Sequence, residues 1–267
     1  MEASNASSVA IAVCVTVMYI MMCFIYLTFG VNSHKKQKLL LKCAPLLILI
    51  ALVVFSLVSV PAKSEPVDTG TIQKDIHSAV SSDTIGRMKI LLCGLMFSCI
   101  GDGCLVFPPK VAWFGLLSFA VAQCIYTHLF GLHLDLVLNL PLQGIVSAAC
   151  VALVSGAILW GFQMQLKAHK RTDFKVHPLI IISVIVYFIL ISTMLWSAVL
   201  QLQLRSDLAS ALGAIGALLF YISDLLIAVS AVLKMRPLLL QGRALIMMTY
   251  YTAQLFILLS VMLLLYM

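Results

Sequence analysis

Apolar runs of about 20 residues recur along this chain, and each is long enough to cross a hydrocarbon core about 30 Å thick. Eight can be placed, at about 9–29, 39–60, 88–107, 111–131, 143–162, 178–200, 208–232 and 244–266. Inside a bilayer only helices or a closed barrel satisfy the backbone. These runs are long, unbroken and not alternating, so they predict helices. The expected fold is all-α: one polytopic transmembrane helical bundle of eight spans filling residues 1–267. Composition agrees, with 63% hydrophobic and 10% charged residues over the 267. A soluble domain is nearer one-half apolar and one-quarter charged, so a soluble enzyme, a disordered chain and a disulfide-stapled secreted domain are excluded.

The breakers fall where the spans need them. Pro61, Pro66, Gly70, Pro108, Pro109, Pro141 and Pro237 punctuate loops. Pro45 is expected in the first turns of the second helix, where proline is tolerated. Residues 61–87, with Glu65, Asp68, Asp75 and Asp83, read as a flexible polar loop too short for a core of its own. Met1 to Ser8 holds no Lys or Arg, unlike the basic start of a signal peptide, so the first run reads as a retained helix.

Seventeen Lys and Arg against ten Asp and Glu give a net charge of +7. Twelve of the basic residues fall in the odd-numbered loops and five on the even side. The positive-inside rule then places the odd loops in the cytosol and both termini on the non-cytosolic side. Asn5-Ala6-Ser7 is a glycosylation sequon on that outer side. There is no stripe of basic and aromatic residues, so no nucleic-acid partner is expected. The eight cysteines form no C-x-x-C pair and read as small apolar residues, not a zinc or disulfide framework.

Two acids lie well inside spans: Asp102 in the third and Asp224 in the seventh. Intramembrane carboxylates are costly and mark functional sites. Both lie roughly 6–7 Å to the cytosolic side of the midplane, at about 1.5 Å per residue. Tyr250, Tyr251 and Gln254 of the eighth span reach the same level, and Gln123 of the fourth is near the midplane. A polar network that only holds helices together would use such residues. Proton-coupled transport would use the aspartates too. If the carboxyls face each other, one can be an acid and the other a carboxylate, as acid–base hydrolysis requires. Lys42, Arg236 and Arg243, near the cytosolic ends of their helices, can hold a lipid phosphate. His128, His133 and Asp135 have no metal-ligand spacing, and no metal is expected.

Gly94 precedes Asp102 by eight residues, as Gly216 precedes Asp224. A small residue, Gly101 or Ser223, stands before each aspartate, and the following spans carry Ala122-Gln123 and Ala253-Gln254. The pattern predicts a parallel 4+4 internal repeat.

Several of these segments resemble the YhhN-like lysoplasmalogenases, small eight-helix membrane hydrolases. They are Gly94–Asp102 with the following Gly115–Gly131 stretch, the segment Gly216 to Asp224 ending in Ile-Ser-Asp, and Arg243 to Gln254 with Tyr-Tyr-x-x-Gln. Lys42-Cys-Ala-Pro45 is similar to the family's K-x-x-P. The family often has His where this chain has Gln123, and Ala-Leu-Asn-Lys where it has Ala228-Val229-Ser230-Ala231. The resemblance implies hydrolysis of the vinyl ether bond of a lysoplasmalogen to a fatty aldehyde and glycerophosphocholine or glycerophosphoethanolamine. It implies Asp102 and Asp224 as acid and base, and Tyr250, Tyr251, Gln254, Gln123 and Ser223 as groups that orient water or glycerol oxygens. Lys42 and Arg243 would meet the phosphate. The partners expected are the lipid substrate and the bilayer of the endoplasmic reticulum. No cofactor is expected, and the sequence carries no signal for an oligomeric state.

Overall fold

The structure, a computed structural model, describes residues 16–28, 35–59, 71–107, 109–131, 139–169, 178–233 and 239–266. These form eight helices: α1 (Thr16–Thr28), then α2 (Lys35–Ser59), α3 (Thr71–Cys104), α4 (Pro109–Leu129), α5 (Leu142–His169), α6 (Pro178–Arg205), α7 (Leu208–Leu233) and α8 (Leu239–Tyr266). No strand occurs among the described residues. Each predicted span falls on one helix. Six helices contain a stretch long and apolar enough to cross a membrane; α1 and the 113–129 part of α4 are apolar but shorter. The chain is thus an integral, multi-pass helical membrane protein.

Two local expectations change. Residues 71–87 are helical, continuous with the rest of α3, and do not form a loop. From Thr71 there is no proline and no glycine before Gly86. Once the membrane helix is formed, each further residue adds a hydrogen bond without a new nucleation cost, so polar turns extend it outward. Asp83 and Arg87 form an i,i+4 ion pair at 3.0 Å on that extension. Second, α2 begins at Lys35, which puts Pro45 in the helix interior and not its first turns. Proline there removes the amide that would bond the Leu41 carbonyl and loosens the preceding turn.

The bundle is arranged around α3 and α8. Helix α3 packs on α2, α4 and α8, and α8 packs on α7, α3 and α2. Helix α6 lies against α4, α5 and α7. Burial follows: α8 is the most enclosed spanning helix and α5 the least. Large apolar side chains line the outside, among them Val58 (79% exposed) and Leu153 (74%). That is expected where the surrounding solvent is hydrocarbon and an outward leucine costs nothing.

Two close helix approaches require glycine. A Cβ on Gly94 of α3 would lie 2.3 Å from the Tyr126 ring of α4. A Cβ on Gly216 of α7 would lie 3.0 Å from the Ala253 carbonyl and the Ile257 nitrogen of α8. These contacts correspond: Gly94 pairs with Gly216 in the predicted repeat, and Tyr126 with Ile257, three residues after Gln123 and Gln254. Phe119 and Tyr250 are likewise equivalent, and their rings meet edge to face at 6.1 Å. Contacts between equivalent positions are what two parallel halves of a 4+4 repeat would produce.

Candidate active site

Lys42 of α2 and Asp102 of α3 form an ion pair at 2.8 Å, with side chains 10% and 3% exposed. The same ammonium lies 3.4 Å from the Asp102 carbonyl oxygen. A buried pair of this kind survives only when both charges are well partnered. The backbone around Lys42 is therefore informative. Tyr251 donates its hydroxyl to the Lys42 carbonyl at 2.8 Å, in the turn that Pro45 loosens. Tyr19 of α1 donates in turn to the Tyr251 carbonyl at 2.6 Å, and the rings of Tyr19 and Tyr26 pack edge to face on that of Tyr251. The lysine is thus anchored from α8 and, through it, from α1.

Asp224 of α7 has a different environment. Tyr187 of α6 donates its hydroxyl to Asp224 Oδ2. Ser223 Oγ lies 3.3 Å from Asp224 Oδ1 and donates to the Phe220 carbonyl at 2.9 Å. No Lys or Arg pairs with Asp224 among the described residues. One aspartate is held by a cation, the other by hydroxyls.

Both aspartates line one cavity of about 260 Å³. Its polar groups are Lys42, Asp102, Tyr187, Ser223, Asp224 and Tyr250. The remainder is apolar, including Leu105, Leu116, Phe119, Val184, Ile227 and Met247. Among the described residues, four buried side-chain polar atoms have no hydrogen-bond partner: Asp102 Oδ2, the Tyr250 hydroxyl and both amide atoms of Gln123. Leaving such groups unpaired in an apolar interior costs free energy, and native proteins keep them mainly where chemistry uses them. Asp102 and Tyr250 are on the cavity wall.

Of the residues singled out in the sequence, the fold brings Lys42, Asp102, Ser223, Asp224 and Tyr250 to this cavity. It does not bring Tyr251 or Gln254 there. Tyr251 holds the lysine backbone from behind, as above. Gln254 accepts from Tyr126 at 2.8 Å and donates to Ser98 at 3.2 Å, joining α3, α4 and α8 away from the cavity. Gln123 is fully buried one turn along α4 from Phe119. Its amide lies near the Tyr187 hydroxyl, outside hydrogen-bond geometry. Arg243 is on α8, with its side chain outside the described residues; Arg236, His133 and Asp135 lie outside them altogether. His128 opens onto a separate outer groove with Lys89.

Tyr187 and Phe119 were not foreseen. The depth argument that singled out Tyr250 reaches Tyr187 too, since it lies two residues before the middle of its span. Nothing in the sequence separates Phe119 from the other core aromatics.

The fold and this cavity define a class: a polytopic helical membrane protein with one buried and one half-buried carboxyl facing a largely apolar chamber. A profile of the YhhN family matches residues 37–261, and the chain belongs to that family. Three curated relatives carry the name lysoplasmalogenase. TMEM86A of Bos taurus is 34% identical over 178 residues, 64% of this chain and 64% of that protein. TMEM86A of Homo sapiens is 33% identical over 178 residues, again 64% of each. TMEM86B of Sus scrofa is 31% identical over 170 residues, 62% of this chain and 61% of that protein. The similarity therefore spans slightly less than two thirds of these relatives' own length. No solved structure matches the chain at a significant level.

Proposed function

We propose that this chain is a lysoplasmalogenase, hydrolysing the vinyl ether bond of a lysoplasmalogen to a fatty aldehyde and a glycerophosphocholine or glycerophosphoethanolamine. The observation that carries the reading is the pair of aspartates with unlike partners on one cavity. A vinyl ether is cleaved by protonating its β-carbon, which leaves an oxocarbenium ion on the ether side. Asp224, whose described partners are hydroxyls, supplies that proton. Asp102, held by Lys42, stabilises the cation and takes a proton from the water that adds to its carbon. The product is a hemiacetal. Its hydroxyl proton is lost as the bond to the glycerol oxygen breaks, and that oxygen is protonated as it leaves. One water is consumed, and the proton Asp102 gained is returned to Asp224 through the same chamber. Glycosidases flank a similar cation with two carboxyls.

Asp102 and the Tyr250 hydroxyl are neighbours on the chamber wall, and neither Asp102 Oδ2 nor that hydroxyl completes a hydrogen bond; we assign them as acceptor and donor for the water or a glycerol oxygen. The apolar remainder of the chamber suits an alkenyl chain. It suits a hydrated solute less well, which weighs against proton-coupled transport through the same aspartates. We assign the phosphate to Lys42, which lines the chamber, and to Arg243. We further propose the endoplasmic reticulum membrane as the location, with both termini on its non-cytosolic side.

The test is aldehyde release from a defined 1-alkenyl lysophospholipid by the purified full chain in detergent, with an acyl lysophospholipid as control. The parent should release aldehyde, and Asp102→Asn and Asp224→Asn should each lower the rate by about 100-fold or more while the proteins remain folded. A folded parent that releases none, or full activity in both variants, would overturn the reading.

A further inference from the structure

We propose that Tyr187 is a positioning residue for this reaction: it fixes Asp224 so that one carboxyl oxygen, Oδ1, delivers the proton. This rests on the reading above and deepens it. Tyr187 is on α6, a helix with no other polar group on the cavity; its companion there, Val184, is one turn away and apolar. The tyrosine hydroxyl donates to Asp224 Oδ2. An oxygen that is already accepting a phenol proton is a poor site for an acid proton, which leaves Oδ1.

The other contacts around the carboxyl agree. Ser223 Oγ lies 3.3 Å from Oδ1, but its own proton is directed at the Phe220 carbonyl, 2.9 Å away. The single serine proton is thus shared between the Phe220 carbonyl and Oδ1, so Oδ1 is held less firmly than Oδ2. The Gln123 amide, with no hydrogen-bond partner among the described residues, lies near the Tyr187 hydroxyl. A donor from that amide would complete a chain from α4 through α6 to α7, turning the phenol toward the carboxylate. The arrangement separates the two faces of one carboxyl: Oδ2 is tied to the protein, and Oδ1 serves the vinyl ether. Rotation of the carboxyl by even a small angle would misdirect the proton, and misplacement of a reacting group is expensive in rate.

The chemical step is the protonation already written: the O–H bond at Asp224 Oδ1 breaks as a C–H bond forms at the β-carbon. Tyr187 exchanges no proton in it. Its hydroxyl remains donated to Oδ2, where it also steadies the carboxylate left behind.

The experiment uses the purified full chain in detergent and compares the parent with Tyr187→Phe and Tyr126→Phe. The second variant removes a fully buried tyrosine hydroxyl that bonds Gln254 away from the cavity. In Tyr187→Phe, kcat should fall by about tenfold or more with KM within about twofold, and the solvent deuterium isotope effect on kcat should rise, because proton delivery becomes more limiting. Tyr126→Phe should lower the melting temperature but leave kcat and the isotope effect close to the parent's. If the parent releases no aldehyde, the functional reading itself fails. If the parent is active and Tyr187→Phe keeps its kcat, the inference fails. It also fails if the loss is confined to KM, or if Tyr126→Phe loses kcat to the same degree, since either result would assign Tyr187 a binding or merely structural role.

Discussion

Lys42 is a single residue on which two kinds of stability converge. Its ammonium is buried against Asp102, and its carbonyl takes the Tyr251 hydroxyl. Removing one partner of a buried ion pair leaves an uncompensated charge, at a cost of about 3–5 kcal/mol. Lys42→Met should therefore lower the melting temperature in detergent sharply. Lys42→Met combined with Asp102→Asn should recover most of that loss, because neither charge then remains. A double variant no more stable than Lys42→Met would show that the ion pair does not dominate the site. At this same scale, the sequence revealed which residues were out of place in lipid but not which way they faced. Tyr250 and Tyr251 are adjacent, and helix geometry turns successive residues by about 100°. One consequently reaches the cavity and the other the back of α2.

Helix ends and helix–helix seams carry the next level of organisation. Helix α7 begins with a reciprocal cap. The Ser210 amide donates to Asp207 Oδ1 at 2.7 Å, and the Asp207 amide donates to Ser210 Oγ at 3.3 Å. Asp207 lies in the turn between spans, and the Ser210 hydroxyl and amide hold its carboxyl below the ordinary value of 3.8. A carboxyl depressed in the folded state stabilises above its unfolded value and loses that contribution as pH falls through the folded one. Asp207→Ala should cost about 1 kcal/mol at neutral pH. The difference from the parent should shrink below pH 4 or so, as melting curves against pH would show; a difference constant to pH 3 would exclude the carboxylate as its source.

The α3–α4 seam is equally specific. A side chain at Gly94 would collide with Tyr126, so Gly94→Val should destabilise by about 1–3 kcal/mol, the usual cost of overpacking. The same thermal melt tests it, and a neutral result would mean that the seam can open. At the element level the apolar runs located every helix, because the bilayer leaves the backbone no other choice. They failed at helix ends beyond the bilayer. Residues 71–87 are polar, so hydropathy marked them as loop, while backbone hydrogen bonding alone continues α3 through them. Pro45 shows the same effect, since a helix that starts at Lys35 and not at residue 39 changes the proline from a terminal residue into an interior one.

For the whole molecule, orientation and the repeat are the open consequences. The eight-span reading, with basic residues concentrated in the odd loops, predicts that Asn5 is glycosylated when the chain is made in a cell that adds N-glycans. The expected result is a gel shift reversed by glycosidase and absent in Asn5→Gln; an unmodified Asn5 accompanied by glycosylation at a sequon introduced into an odd loop would invert the topology. The proposed repeat would set glycine seams at corresponding positions and Phe119 against Tyr250; halves that fail to superpose would exclude it.

The sequence alone determined that this chain is a multi-pass membrane protein and where its helices lie, and it singled out Asp102 and Asp224 as acids inside apolar spans. Each of these follows from one-dimensional physics: the apolar length needed to cross hydrocarbon, the rise per residue, and the cost of a charge in lipid. Rotation about each helix axis and the choice of neighbours depend on side chains far apart in the chain, so only the tertiary structure decided them. It directed both carboxyls to one chamber, paired one with Lys42 and the other with Tyr187, and turned Tyr251 and Gln254 to hold helices together.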